Sequence, residues 1–177
     1  DMASTLAVAG VLTANAGAVF NEGSADVDFR IESNGNANMV FVDGGNDKVA
    51  IGTATATAML TVAGSLKPIT YQETYVAKSA AATVTCDLAT ATHFSVTIAA
   101  NTTFAFSNPP SSGTAYSFVL IITQHSTAVT LTWPSTVDWA GGSAPDAAGN
   151  NEVQAYAFVT RDGGTTYYGF LGGTAIA

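Results

Sequence analysis

Basic side chains are scarce in this chain. Arg30, Lys48, Lys67, Lys78 and Arg161 stand far apart against thirteen acids, which leaves a net charge of −8. Nucleic-acid binding needs several cations on one face to displace counterions, so no nucleic-acid partner is expected. The same scarcity argues against an anionic lipid surface. Cysteine is nearly absent too: Cys86 is alone, which rules out an intrachain disulfide and any cysteine metal cluster. Long apolar runs are missing, since a stretch such as Phe118–Ile122 is five residues long where a membrane helix needs about 20. No membrane insertion is expected. The opening Asp1-Met2-Ala3-Ser4-Thr5-Leu6 has no basic segment leading into an apolar one, so it does not read as a secretory leader. Asp before Met implies that the natural start lies elsewhere. Charged residues of both signs make up only 10% of the chain, well below the usual quarter, so hydroxyls and amides must keep its surface wet.

What the chain does have is strand-forming sequence. Hydrophobic residues reach 47%, enough for a buried core, and no capped stretch with a 3.6-residue period is present. Apolar and polar residues alternate in Val27–Ile31, Phe94–Ile98 and Val129–Trp133, as in half-buried strands. Turn residues separate them at Asn34-Gly35, Asp43-Gly44-Gly45-Asn46-Asp47, Ser107–Pro110 and Arg161-Asp162-Gly163-Gly164, and the glycine turns read as hairpins. Pro134 should end the strand before it. The expected class is all-β.

The heptapeptide Leu6-Ala7-Val8-Ala9-Gly10-Val11-Leu12 returns as Leu60-Thr61-Val62-Ala63-Gly64-Ser65-Leu66. Each copy reads as two short strand pieces hinged on an Ala-Gly corner, with Gly10 and Gly64 expected at positive φ. A unit this small cannot bury its own apolar face and must lie on its neighbours. The halves of the chain differ accordingly. Residues 1–74 hold four aromatics and eleven charges, whereas residues 75–177 hold thirteen aromatics and seven charges. We therefore expect a repeat-containing region over 1–74, completed by strands of other subunits around a threefold axis. Residues 75–177 are expected to fold alone as a jelly-roll-like β-sandwich of seven or eight strands.

Chemical constellations are thin. His93 and His125 are the only histidines, and they read as strand-end and turn residues because no nucleophile elbow accompanies them. Cys86 sits in a strand-like run without a basic neighbour, so a buried, inert thiol is expected. Asp87, Asp138, Asp146, Glu152 and Asp162 are the carboxylates from which a glycosidase pair would have to come, yet the long parallel β-helix of glycan-cleaving tailspikes is not expected here. Asp26, Asp28, Glu32 and Asp47 could meet a cation only where copies converge on an axis. No cofactor or metal site is predicted within one chain. Among the aromatics, Trp139, which lies beyond Pro134 in the loop-like stretch 135–151, Tyr167 and Tyr168 are the candidates for contact with a glycan or a partner. Adjacent Tyr167 and Tyr168 must point to opposite faces of a strand, so one of them faces outward or an interface.

Val19–Ser33, Phe41-Val42-Asp43, Val49-Ala50-Ile51-Gly52-Thr53 and Leu60–Leu66 together resemble a segment common in appendage proteins of tailed bacteriophages. The resemblance covers roughly residues 5–70. Phe104–Pro110 and Asp162–Phe170 are likewise similar to end domains of phage fibres and capsid appendages. One departure is Ala54–Ala58, which stands where such proteins usually carry Ser-Pro. The resemblance implies a trimeric, non-enzymatic component of the virion surface. Its partners would be its own copies, other virion proteins bound through the N-terminal half, and a host surface glycan. Tail fibre, head fibre and capsid decoration protein are all compatible with it, and a secreted bacterial adhesin or filament subunit is a further alternative.

Overall fold

Strands succeed one another along the whole chain, joined by turns and a single 3-10 turn at Ala140–Gly142, with no α-helix among the described residues. The computed structural model describes residues 8–21, 23–127 and 129–176. No helix in it is long and apolar enough to cross a membrane. Two compact units emerge, Asp1–Ile69 and Thr70–Ala177, so the division falls a few residues before the expected 74/75.

The first unit holds a four-stranded sheet in the order β1 (Phe29–Ile31), β2 (Val40–Asp43), β3 (Lys48–Ile51), β4 (Leu60–Val62). The Asp43–Lys48 hairpin forms as its Gly-Gly-Asn turn predicts, and Asp43 Oδ1 accepts the Asn46 N–H at 3.0 Å to lock it. Asn34-Gly35 lies inside a wider loop that joins antiparallel β1 and β2. Strand β4 pairs parallel to β3. All four strands belong to one chain.

The repeated heptapeptide differs from its reading as two equivalent strand-turn-strand units. In the second copy only Leu60–Val62 is a strand, followed by a bend at Ala63-Gly64. In the first copy Leu6 and Ala7 lie outside the described residues, and Val8–Leu12 forms no strand. Gly64 takes φ +152° at its corner, while Gly10 is not among the positive-φ glycines. An edge strand needs a neighbour for its hydrogen bonds: Leu60–Val62 finds one in β3, and Val8–Leu12 has none among the described residues.

The second unit holds nine strands: β5 (Tyr75–Lys78), β6 (Thr83–Asp87), β7 (His93–Thr97), β8 (Thr102–Ser107), β9 (Tyr116–Thr123), β10 (Leu131–Thr132), β11 (Val137–Trp139), β12 (Val153–Thr160) and β13 (Tyr167–Ile176). Successive strands alternate between two sheets. β5, β7 and β9 pair parallel in one, while β6, β8 and β10 pair parallel in the other. Each parallel crossover is therefore itself a strand of the opposite sheet, which gives a short, flattened parallel winding. The β12–β13 hairpin then adds antiparallel to β9, and β11 closes the far edge parallel to β13, for the order β11-β13-β12-β9-β7-β5. These parallel pairings depart from the antiparallel Greek keys of the jelly roll expected. The parallel winding they form is brief, with three strands in each sheet.

Both sheets send side chains into one core. Val84 and Cys86 of β6 and Phe104 of β8 meet Phe94, Val96, Phe118, Leu120, Ile122, Tyr156 and Phe158 of the larger sheet. Phe106 bridges the layers, its ring centroid 4.9 Å from Phe118 and 5.0 Å from both Phe158 and Tyr167. Each fully buried phenylalanine contributes about 1.5–3 kcal/mol, so this aromatic cluster is the chief source of the unit's stability. Thr83, Thr85, Ser95 and Thr97 occupy the outward positions between the buried ones.

Candidate functional site

The three aromatics singled out from the sequence lie at one end of the six-stranded sheet but do not form one platform. Tyr167 and Tyr168 point to opposite faces of β13, as adjacency requires: Tyr167 is 3% exposed in the core and Tyr168 is 38% exposed outside. A ring as buried as that of Tyr167 cannot stack on a sugar. Burial and the nearby Asp162 carboxylate push its phenol pKa up. Trp139 lies in β11, not in a loop, and turns toward the core, where its ring packs edge-on to Trp133 at 5.2 Å and to Tyr156 at 5.9 Å. Its seat depends on Gly169 across the ladder, because a Cβ there would come within 2.7 Å of the indole. The outer rim of Trp139 joins Ser143, Pro145, Phe170 and Leu171 around a groove of about 300 Å³.

The polar candidates are each engaged in local structure. His93 Nδ1 lies 3.5 Å from Glu73 Oε2 and 3.2 Å from Thr92 Oγ1. His125 Nδ1 instead accepts the Thr127 N–H at 3.2 Å and pairs with Thr127 Oγ1 at 2.9 Å, closing its own turn. Cys86 is completely buried, and desolvation pushes its thiol up to about 12, so it is a packing residue and not a nucleophile.

The carboxylates serve turns as well. Asp87 accepts from Asn108 Nδ2 at 2.9 Å, Glu152 from the Gly149 N–H at 2.8 Å, and Asp162 from the Thr166 N–H at 3.0 Å. That last bond, from a backbone amide, holds the Asp162 carboxyl below its ordinary value. Asp28 Oδ1 accepts the Gly44 N–H at 3.1 Å, and Asp26 lies beside Gly45. Among the described residues of one chain, no three His, Cys, Asp or Glu side chains converge as metal ligands.

A buried amide that the sequence reading passed over ties the second unit together. Gln154 Oε1 accepts the Tyr156 hydroxyl at 2.7 Å and the Ala148 N–H at 2.7 Å, while its Nε2 donates to the Asp146 carbonyl at 2.8 Å. It pins the 143–151 segment to β12. Burial pushes the Tyr156 phenol up to about 12.

The feature that one chain leaves unfinished is apolar surface. Register in the first sheet places Phe29, Val42, Val49 and Leu60 in one row, and Ile31, Val40, Ile51 and Val62 in the next, all on the same face. None of these eight is buried, and Ile31 and Leu60 are about half exposed, at 50% and 55%. Phe20 lies 4.9 Å from Phe29, and Ala25 and Val27 line a hollow with Phe29 and Val42 at that end of the face. The opposite face carries Phe41 and Ala50, the two buried hydrophobics among the unit's described residues. Near them the β3–β4 connection is tied down by Lys48 Nζ donating to the Ala56 carbonyl at 3.3 Å.

No family model, curated protein or solved structure matches this chain.

The signal for the open face was present in the sequence as Phe29, Ile31, Val40, Val42, Val49, Ile51, Leu60 and Val62 at alternate positions of four segments. Only the pairing registers put them on one side.

Proposed function

We propose that this chain is a non-enzymatic structural component of a tailed-phage particle, a trimeric fibre or appendage on the virion surface with a role in host attachment. The observation that carries the reading is the uncharged face of eight apolar side chains on the four-stranded sheet. A single layer with one greasy side is not a stable end state in water. Copies of the same chain supply the missing layer without further components, and three sheets with apolar sides turned inward form a closed, symmetric solution. The need for copies comes from the face, and the number three comes from the phage-appendage resemblance.

In this reading the second unit is a β-sandwich displayed outward, its two sheets sharing a core. The first unit serves as base or shaft and meets other virion proteins. The engaged histidines and carboxylates and the buried thiol support a structural role over a catalytic one. Repetition of a weak contact three times on one appendage would raise attachment strength without a deep pocket.

Native mass spectrometry of the whole chain should give three copies, and Ile51→Lys, which puts a charge into the open face, should weaken assembly at least tenfold. Antibody against the second unit should decorate the outside of particles of the virus that encodes this chain and slow their adsorption. Monomers at micromolar concentration, or particles without label, would overturn the reading.

A further inference from the structure

A hollow of about 280 Å³ opens on the outward side of the six-stranded sheet, and its lining includes none of Trp139, Tyr167 and Tyr168. Val119 of β9 and Ala157 of β12 stand side by side in its floor, with Ser117 two residues before Val119 on the same face. Along one rim the segment before β5 brings Tyr71 and Glu73 to His93, where Glu73 Oε2 lies 3.5 Å from His93 Nδ1. The His93 N–H donates to the Thr74 carbonyl at 3.3 Å and holds that segment against the sheet. We propose that this hollow binds a neutral hexopyranose unit of a glycan. The proposal rests on the attachment reading above and gives it a site and a ligand class.

A pyranose ring carries C–H groups on its faces and hydroxyls around its edge, and the hollow has a partner for each. Val119 and Ala157 give an apolar floor, and Tyr71, 73% exposed, offers an aromatic ring whose negative face attracts C–H groups. The Glu73 carboxylate has two oxygens that accept from adjacent hydroxyls, and the Ser117 hydroxyl both donates and accepts. Thr92 and Glu73 face His93 at Nδ1, so Nε2 is the ring nitrogen left for a ligand. Charge decides against acidic ligands. Glu73 would repel an anion, and among the described residues no lysine or arginine lines the hollow to offset it. A second hollow of about 270 Å³ shares Glu73 and Thr92 with the first and adds Thr74 and Thr90. Together the two reach the size of ordinary ligand clefts, and the threonine hydroxyls give a neighbouring sugar unit its own partners.

The test is an array of immobilised neutral and acidic glycans probed with the labelled whole chain, with native mass spectrometry of the same sample. The chain should bind neutral hexose-containing glycans. Tyr71→Ala should weaken that binding about tenfold, the size of one lost aromatic contact, and Glu73→Gln should weaken it as well. Leu171→Ala, in the groove beside Trp139, should bind as the parent does. Tyr71 is too exposed for its loss to unfold the chain, so the Tyr71→Ala result stands even if Glu73→Gln fails to fold. No binding to any neutral glycan, binding confined to acidic glycans, or undiminished binding by Tyr71→Ala would overturn the site. If the same sample then weighs as three copies, the appendage reading survives that failure. A monomer whose glycan binding falls with Tyr71→Ala would instead keep the site and overturn the trimeric reading.

Discussion

The unit of residues 70–177 folds two sheets over a shared core of fifteen buried residues, with Phe118 and Phe158 stacked at 4.9 Å in its centre. Among its described residues, the unit of residues 1–69 has one sheet and buries only the hydrophobics Phe41 and Ala50, although it contains as regular an alternation of apolar residues. The difference is one of layers and not of propensity. A sheet has two sides, and a chain that supplies only one sheet and a connecting loop can cover only one of them. The first unit's stability should therefore depend on concentration, whereas the second unit's core should hold at any dilution.

The sharpest way to break this comparison is at the aromatic core. Phe158→Ala should cost the second unit about 3–5 kcal/mol, read from urea unfolding followed by Trp133 and Trp139 fluorescence. The loss should be the same at high and low protein concentration.

High pH should act on the same unit. The Cys86 thiol and the Tyr156 phenol are both raised to about 12 by burial, so the folded chain keeps protons that the unfolded chain releases from about pH 9–10 upward. Their stabilising contribution is complete below pH 9 and declines as pH rises toward 12. The loss should be on the order of 3 kcal/mol by pH 11, measurable as a falling denaturation midpoint. A flat profile from pH 9 to 11 would contradict the burial of both groups.

Gln154→Leu should cost about 2 kcal/mol, because the Tyr156 hydroxyl and the Ala148 N–H lose their acceptor inside the protein. Hydrogen exchange at Ala148 should speed up with it. The smallest effect is expected in the first unit. Gly64→Val places a side chain at φ +152° with open space around it, so only backbone strain acts, about 1 kcal/mol in a thermal scan.

Parts of this fold were readable because they obey local rules. Strand β7 follows the alternation of Phe94, Ser95, Val96 and Thr97, and the Asp-Gly-Gly turns at Asp43 and Asp162 became hairpins. The parallel winding was not readable. Its turns are unequal in length, Tyr75 standing beside His93 and His93 beside Val119, so no repeat betrays it. Trp139 was read as a loop aromatic available to a ligand, yet the Val137-Asp138-Trp139 alternation and the glycine opposite it at position 169 turn the indole inward. The repeated heptapeptide misled for a related reason. Similar local preference becomes a strand only where a neighbour accepts its hydrogen bonds, and among the described residues of one chain that neighbour exists for Leu60–Val62 and not for Val8–Leu12.

By itself the amino-acid order determined that this protein is built of strands, where its glycine turns bend the chain, and that basic charge would play little part, because these depend on side-chain period and composition within a few residues. The tertiary structure alone decided which strands lie side by side, in which direction, and which apolar rows stay open to water. Those outcomes depend on pairing between segments distant in sequence, and no local pattern encodes the register that brings Phe29, Val42, Val49 and Leu60 onto one face.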